Sequence, residues 1–474
     1  MSLKTNVVYS TLLTLSTYLV PLVVYPYISR VLGPAGIGAV DTVDGFINYA
    51  VLFSMMGLTT IGTREIAKSR DSAEGLSRTF SSLFSLNLIS TGVVLAVLAF
   101  MICYGAQFKE RWELMIIGMV KVLFNLFWVE WFFKGMENFR YITLRSICMR
   151  LLFVIVVFLL IREEDDYVLY YILWVSLTVG NAVCNWIYRR RFVRFSFASL
   201  QLGTYVKPFL MLGLFALFSA IYTQLNVVIL GFSCGAEQAG YYTMATKIYT
   251  VLMALFSSLT VVMIPRMAVL VKERGDTEIR RLVGMVFQLL FLFAFPIVFF
   301  TEIFAPEIIY VIGGEGFQEA VLPMRIVMPL VFVIGSEQIF MMQVLVPLRK
   351  DRMVFVNALA GAVICVLVNL FLLHEWQSVG SACAWVAAEL TVFSLASCQA
   401  WKSIRIGFPL KAFLRHALWS LPYGLLGGMV MLGTESCWNR LLLAVVVYGL
   451  YALFLEEKVF RLGLLALLWG VVRK

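Results

Sequence analysis

Leu32 to Arg64 reads LGPAGIGAVDTVDGFINYAVLFSMMGLTTIGTR, and its landmarks fix the organisation of the whole chain. Leu32-Gly33 closes one apolar run, and Gly38 opens the next, which reaches Arg64 after 26 positions. The same landmarks return later: Leu230-Gly231 closes a run, and Gly240 reaches Arg266 after the same 26 positions. The charged stretches beyond each Arg also match, Lys68 to Arg78 against Lys272 to Arg281. A basic loop holding Gly135-Met136-Glu137-Asn138 then corresponds to Leu348-Arg349-Lys350-Asp351. Six apolar spans have been duplicated, a construction that many transporters share. Six is even, so both halves enter a bilayer with the same orientation, and the cleft between them is the expected substrate site.

The rest of the sequence requires that bilayer. Hydrophobic residues make up 61% of the 474 positions and charged residues 14%, with a mean hydropathy of +0.90. No water-facing surface accommodates that balance. Apolar runs of about 18 to 25 residues recur along the chain, each long enough to cross a hydrocarbon core roughly 30 Å thick as a helix. Fourteen spans are expected, beginning at 6–29 and 38–61, with 112–133, 323–346, 354–373 and 379–401 among them, and ending with 415–433 and 440–456. The fold class is therefore all-α integral membrane: a six-helix lobe over 1–200, a second over 201–405, and two further helices with an interfacial tail over 406–474.

Most of the 38 Lys and Arg fall in alternate loops, on the side that holds Lys4 and both termini. The opposite side carries little base beyond Arg30, Lys109, Arg111, Arg162 and Arg440, and includes the acidic run Glu163-Glu164-Asp165-Asp166. By the positive-inside rule the termini are cytoplasmic, and the net charge of +10 reflects orientation rather than nucleic-acid binding. The first apolar run has no small-residue cleavage site and reads as a retained span. No loop is long enough to build an aqueous catalytic site, so an enzyme is not expected. The eight cysteines are scattered singly, and His374 and His416 are the only histidines. Neither metal binding nor a cofactor is expected from them.

A charge inside a span costs roughly 2.5–3.5 kcal/mol on insertion scales, so intramembrane charges mark candidate sites. Asp41 and Asp44 share a helical face in the second span, and Lys247 occupies the corresponding stretch of the eighth. Acid from one half and base from the other suggest a latch that opens on substrate or proton binding; a purely structural pair is the competing reading. Lys121, Asn125 and Glu130 lie in the fourth span, with Lys121 and Asn125 on one face. Glu337, Gln338 and Gln343 lie in the tenth and Glu389 in the twelfth, while Tyr222, Gln224 and Asn226 lie in the seventh. Pro21 and Pro26 are placed to bend the first span, and Arg30 stands alone at its exterior end. Each such residue is also an ordinary candidate for helix-to-helix hydrogen bonding, or for snorkelling in the case of Arg30.

Ile28-Ser29-Arg30-Val31-Leu32-Gly33-Pro34, Gly36-Ile37-Gly38, and Gly57-Leu58 leading to Gly62-Thr63-Arg64-Glu65-Ile66-Ala67-Lys68 resemble the amino-terminal signature of the Wzx-type polysaccharide-repeat flippases. These belong to the multidrug/oligosaccharidyl-lipid/polysaccharide exporter superfamily. The resemblance implies a V-shaped, two-lobed bundle in the bacterial inner membrane. Its cationic cavity would accept an undecaprenyl-diphosphate-linked oligosaccharide, such as an O-antigen or capsule repeat unit, and deliver it to the outer leaflet. Lys247, Lys121 and Arg30 are the candidates for the diphosphate, with Asn125, Gln224 and Asn226 as further substrate contacts. Asp41, Asp44, Glu130, Glu337 and Glu389 are the candidates for ion coupling or gating. A polysaccharide polymerase and chain-length proteins are implied partners, membrane lipid is the surroundings, and a monomer is expected. The lipid II flippase branch shares the span layout but carries an arginine cluster not evident here beyond Arg30 and Arg64. A cation-coupled multidrug antiporter of the same superfamily is the alternative function; its twelve-span layout leaves spans thirteen and fourteen over. A non-transporting scaffold would not require so many intramembrane charges.

Overall fold

The computed structural model describes residues 3–196, 200–273, 276–348 and 350–460. Among the described residues all regular structure is helical. Among those residues eight helices are long and apolar enough to cross a membrane, and a bent pair over 315–345 counts as a ninth if it forms one span. Their outward faces are hydrophobic: Leu432 is 92% exposed and Phe371 80%. Serine, threonine and asparagine instead turn inward, as Ser81, Ser82, Asn87 and Thr91 do. Apolar outside and polar inside is the pattern that hydrocarbon solvent imposes, and the chain is a multi-pass membrane protein.

Packing divides the chain into two compact units, Met1–Thr243 and Met244–Lys474. The first holds α1 (Leu3–Met55), α2 (Leu58–Ser69), α3 (Ala73–Tyr104), α4 (Ala106–Lys109), α5 (Trp112–Trp128), α6 (Glu130–Gly135), α7 (Phe139–Leu160), α8 (Tyr167–Tyr188) and α9 (Leu202–Ser233). The boundary falls inside α10 (Ala236–Glu273), whereas the sequence repeat places it near residue 200. The second unit continues with α11 (Asp276–Ile303), α12 (Ala305–Gly313), α13 (Val321–Val327), α14 (Leu330–Gln338), α15 (Asp351–Ile404), α16 (Leu410–Gly433) and α17 (Cys437–Phe454).

In the first unit α1 is central and packs against α3, α5, α7 and α9. Its 53 residues would make a straight rod of about 80 Å, far more than one bilayer. Gly33 divides it: φ 64 and ψ 179 lie in a region that only glycine occupies without strain, so the expected first and second spans become two segments of one element. Beyond the break the chain passes very close to the start of α10, where a side chain on Gly38 would meet the Ala236 carbonyl oxygen at 1.6 Å. An aromatic core of Phe80, Phe84, Trp131, Phe132 and Phe133 fills the other end of the unit. There Arg189 lies 3.5 Å over the Trp186 ring.

Four expected spans have a different local course. The span at 112–133 breaks at Val129, whose φ of 34 separates α5 from α6. The spans at 354–373 and 379–401 run together as α15, bent at Gln377 with φ 44. The span at 323–346 is divided at Pro329 and continues past α14 as a π-helical turn over Ile339–Leu345. In the second unit α11 packs on α16, α13 and α14 on α15, and α16 on α17. The interfacial tail expected after the last span lies largely outside the described residues.

Candidate functional site

The second segment of α1 presents Asp44, Asn48 and Val51 at helical spacing, and α5 presents Lys121, Asn125 and Trp128 in the same way. α7 adds Arg145, Ser146 and Arg150, while α8 adds Trp174, Thr178 and Asn181. The first segment of α1 closes the group with Thr14, Thr17 and Pro21. Between these faces lies a cavity of about 590 Å³ within the first unit.

One side of this region is organised around Asp44. Lys121 Nζ lies 2.6 Å from Asp44 Oδ1 and 2.8 Å from Asn48 Oδ1. Asn48 Nδ2 donates to Asp44 Oδ2 at 3.2 Å, and Trp174 Nε1 donates to the same oxygen at 3.3 Å. The carboxylate therefore receives an ammonium and two neutral donors, the provision a buried charge requires. The other side is organised around Glu130, with Lys134 at 2.9 Å, Arg145 at 3.3 Å and Trp128 Nε1 at 2.8 Å. Arg145 also donates to Ser146 Oγ at 3.0 Å and to Asn185 Oδ1. Asn185 Nδ2 in turn donates to the Trp128 carbonyl, which the break at Val129 has released from the helix ladder. Arg150 holds the first segment of α1 through the Leu13 carbonyl at 3.3 Å and through Ser16 Oγ.

Lys121, Lys134, Arg145 and Arg150 thus stand against Asp44 and Glu130, and the region is net positive. Two amide groups on its wall are buried without a partner, the Asn125 Nδ2 donor and the Asn181 Oδ1 acceptor. Unmet amides beside surplus cations suit an anion that also carries hydroxyl groups.

Of the residues expected from sequence, Lys121, Asn125 and Glu130 line this cavity, and Asp44 pairs with Lys121 behind its wall. Asp41 lies on the same segment of α1, one turn before Asp44 and half-buried. Arg30 is exposed three residues before the Gly33 break. Asn226 is buried and donates to the Tyr242 hydroxyl at 3.0 Å, a helix-to-helix bond between α9 and α10. The side chains of Tyr222 and Gln224 lie outside the described residues. Lys247 is half-buried on α10 at the start of the second unit. Also in the second unit, Glu337 and Glu389 are both buried, close enough to interact electrostatically. Trp385 Nε1 donates to Glu389 at 2.8 Å, and Ser257 donates to Gln338 at 3.1 Å. Gln343, in the π-helical turn, has neither amide atom partnered. Among the described residues no group of three His, Cys, Asp or Glu is placed to hold a metal ion.

Sequence reasoning did not single out Lys134, Arg145, Arg150, Asn48, Trp174 and Asn181 as site residues. The three cations fall in or beside the basic stretch expected between the fourth and fifth spans, where they read as orientation signals. The neutral groups carry no mark of function until the helices are assembled.

The architecture recurs in solved structures of low sequence identity. The structure described as lipid II flippase MurJ in an inward closed conformation superposes with a TM-score of 0.76, covering 96% of this chain and 100% of that one at 13% identity. The MATE multidrug transporter DinF-BH gives 0.58 at 17% identity, covering 87% and 97%. In sequence, a putative O-antigen transporter of Escherichia coli (strain K12) is 24% identical over 410 residues, 83% of this chain and 96% of that protein. A putative O-antigen transporter of Shigella dysenteriae is 20% identical over 271 residues, 56% and 67% of the two chains. These relatives are transporters and flippases rather than enzymes. The profile of the polysaccharide biosynthesis protein family matches residues 3–271, more than half of the sequence, and the chain belongs to that family.

Proposed function

We propose that the protein is a flippase for a lipid-linked glycan, and that it moves an undecaprenyl-diphosphate-linked oligosaccharide from the cytoplasmic to the outer leaflet of the bacterial inner membrane. The observation that carries this reading is the net-positive cavity around Lys121, Lys134, Arg145 and Arg150, with its unpartnered Asn125 Nδ2 donor and Asn181 Oδ1 acceptor. A diphosphate with several sugars cannot enter hydrocarbon unaided, since each desolvated charge costs many kcal/mol. Cations match the diphosphate, and Asn125, Asn181, Trp128 and Trp174 match hydroxyls and sugar faces. The names of the sequence relatives and the likeness to a solved lipid II flippase support the same class of cargo.

In this reading fourteen helices form two six-helix lobes plus a terminal pair, both termini are cytoplasmic, and a monomer works by alternating access. A polysaccharide polymerase and chain-length proteins consume the product. The diphosphate meets Lys121 and Arg150 first, with Arg30 and Lys247 along its path and Gln224 and Asn226 as further contacts. Asp41, Asp44 and Glu130 exchange their present partners for ions as the cavity changes sides. The buried carboxyls of Glu337 and Glu389 serve coupling.

The test is reconstitution into liposomes with a fluorescent undecaprenyl-diphosphate oligosaccharide. Wild type should carry it to the opposite leaflet, and Lys121→Ala and Arg150→Ala should each slow that transfer by about tenfold or more, the scale of one lost charge-assisted contact. Failure to move several such lipids, together with cation-driven efflux of small organic cations, would replace this reading with that of a multidrug antiporter.

A further inference from the structure

The second unit contains a cavity of different character. It lies between α14, the last turns of α15 and the start of α16, and its volume is about 650 Å³. Phe332, Phe393, Phe408 and Phe413 line it, with Trp401 and Leu410 at the mouth, 56% and 58% exposed. These rings pack edge to face at 5.6–5.7 Å, as Phe393 does on Phe408 and Phe332 on Phe413, and so hold one another in the wall although each is only half-buried. One group in the lining is unsatisfied: Ser336 is fully buried, and its Oγ has no hydrogen-bond partner. A helical serine ordinarily bonds back to the preceding turn, and a buried hydroxyl left without a partner forfeits about 1–3 kcal/mol.

The turn that closes the mouth is strongly basic. α15 ends at Arg405, which adopts φ 52, and Lys402, Arg405 and Lys411 are all exposed around it. Lys350 reaches the same turn through Ser403 at 2.6 Å. Nearby, Arg415 lies 5.1 Å from the centre of the Phe460 ring. Among the described residues, none of Lys402, Arg405 and Lys411 makes an ion pair within 4 Å.

We infer that this pocket binds an anionic phospholipid, one acyl chain entering between α14, α15 and α16 while the phosphate is held by Lys402, Arg405 and Lys411. The volume falls within the range of cavities that enclose small ligands, about 300–1,000 Å³. An aromatic pocket opening beneath a ring of cations matches a molecule with a hydrocarbon body and an anionic head. Ser336 Oγ supplies a donor for an ester carbonyl. A glycan has no such counterpart here, because the lining lacks the amides and buried charges found around Lys121. The occupant is therefore a lipid of the surrounding leaflet rather than the transported one, and the inference holds whether or not the cargo is a lipid-linked glycan.

Trp401 is the built-in reporter. The full-length protein is placed in phosphatidylcholine nanodiscs containing increasing fractions of phosphatidylglycerol with brominated acyl chains. Quenching at Trp401 is taken as the difference between wild type and Trp401→Phe. Brominated phosphatidylglycerol should quench at a mole fraction at least about fivefold lower than brominated phosphatidylcholine, the factor expected for one engaged cation. The combined Lys402→Gln, Arg405→Gln and Lys411→Gln substitutions should abolish that preference, and filling the pocket from its α15 wall with Ser397→Phe should reduce quenching by both lipids. Equal potency of the two lipids in wild type would mean ordinary annular solvation and would overturn the proposal, even if the substituted proteins did not fold. Displacement of bound phosphatidylglycerol by equimolar polyprenyl phosphate would assign the pocket to the transported tail and would equally overturn it.

Discussion

Lys121 touches Asp44 and Asn48 at once, and both members of the ion pair keep only 12% of their side-chain surface exposed. A pair so enclosed is costly to break and inexpensive to replace as a whole. Lys121→Gln or Asp44→Asn alone should each lower stability by about 3–5 kcal/mol, because each leaves its partner buried and uncompensated. The double substitution should lose much less than the sum, and thermal unfolding in detergent over the full double-mutant cycle measures the difference. Additive losses would show that the two charges do not depend on each other. Lys121, Asn125 and Glu130 were legible in the sequence because a polar group in an apolar helix is conspicuous. Arg145 was not: its partners Glu130 and Asn185 reach it from other helices, and its position near a helix start is equally that of a topogenic cation.

Helices show the same division between what is written locally and what assembly imposes. The Gly33-Pro34 step is visible in sequence as the end of a span, and the break stands there, at a backbone angle suited to glycine. Gln377 and Val129 carry no comparable mark, yet both adopt positive φ. For a β-branched residue that conformation is unfavourable, and around Val129 the compensation comes from elsewhere: Asn185 takes the freed Trp128 carbonyl, and the Trp128 indole binds Glu130. Asn185→Leu should therefore cost about 1–3 kcal/mol by leaving that carbonyl unpaired. It should also release Arg145 and lower translocation, whereas a purely local role would change stability alone. At the other break, Gly33→Ala should destabilise by about 1–3 kcal/mol from backbone strain, read as a lower unfolding temperature with the helix content retained. Gly38→Val tests a close approach instead. Its side chain has no room beside Ala236, so the substitution should part α1 from α10 and make the thiol of an added Gly36→Cys react faster with an aqueous reagent. Unchanged reactivity would mean that the contact closes no aqueous path.

Composition and the charge of alternate loops describe the chain as a whole, and they were readable before any helix was placed. The positioning of the working groups was not, since neither property says which side chains converge. Coupling is the property that belongs to this scale alone. Moving one elementary charge through 100 mV supplies about 2.3 kcal/mol, enough for a roughly fiftyfold steady-state ratio of cargo between leaflets. If Glu337 and Glu389 carry the coupling proton or cation, wild type in liposomes with an imposed gradient should accumulate the fluorescent lipid in one leaflet toward such a ratio. Glu389→Gln should still equilibrate the lipid but without accumulation, because the amide oxygen still accepts from Trp385 while the titratable oxygen is lost. The distinction separates coupling from transport: a variant that has lost the cavity slows both processes, while one that has lost the ion changes only the end point. Accumulation that persists in wild type after both proton and sodium gradients are collapsed would remove these carboxyls from the mechanism, and the cationic cavity in the first unit would then have to draw on another source of energy.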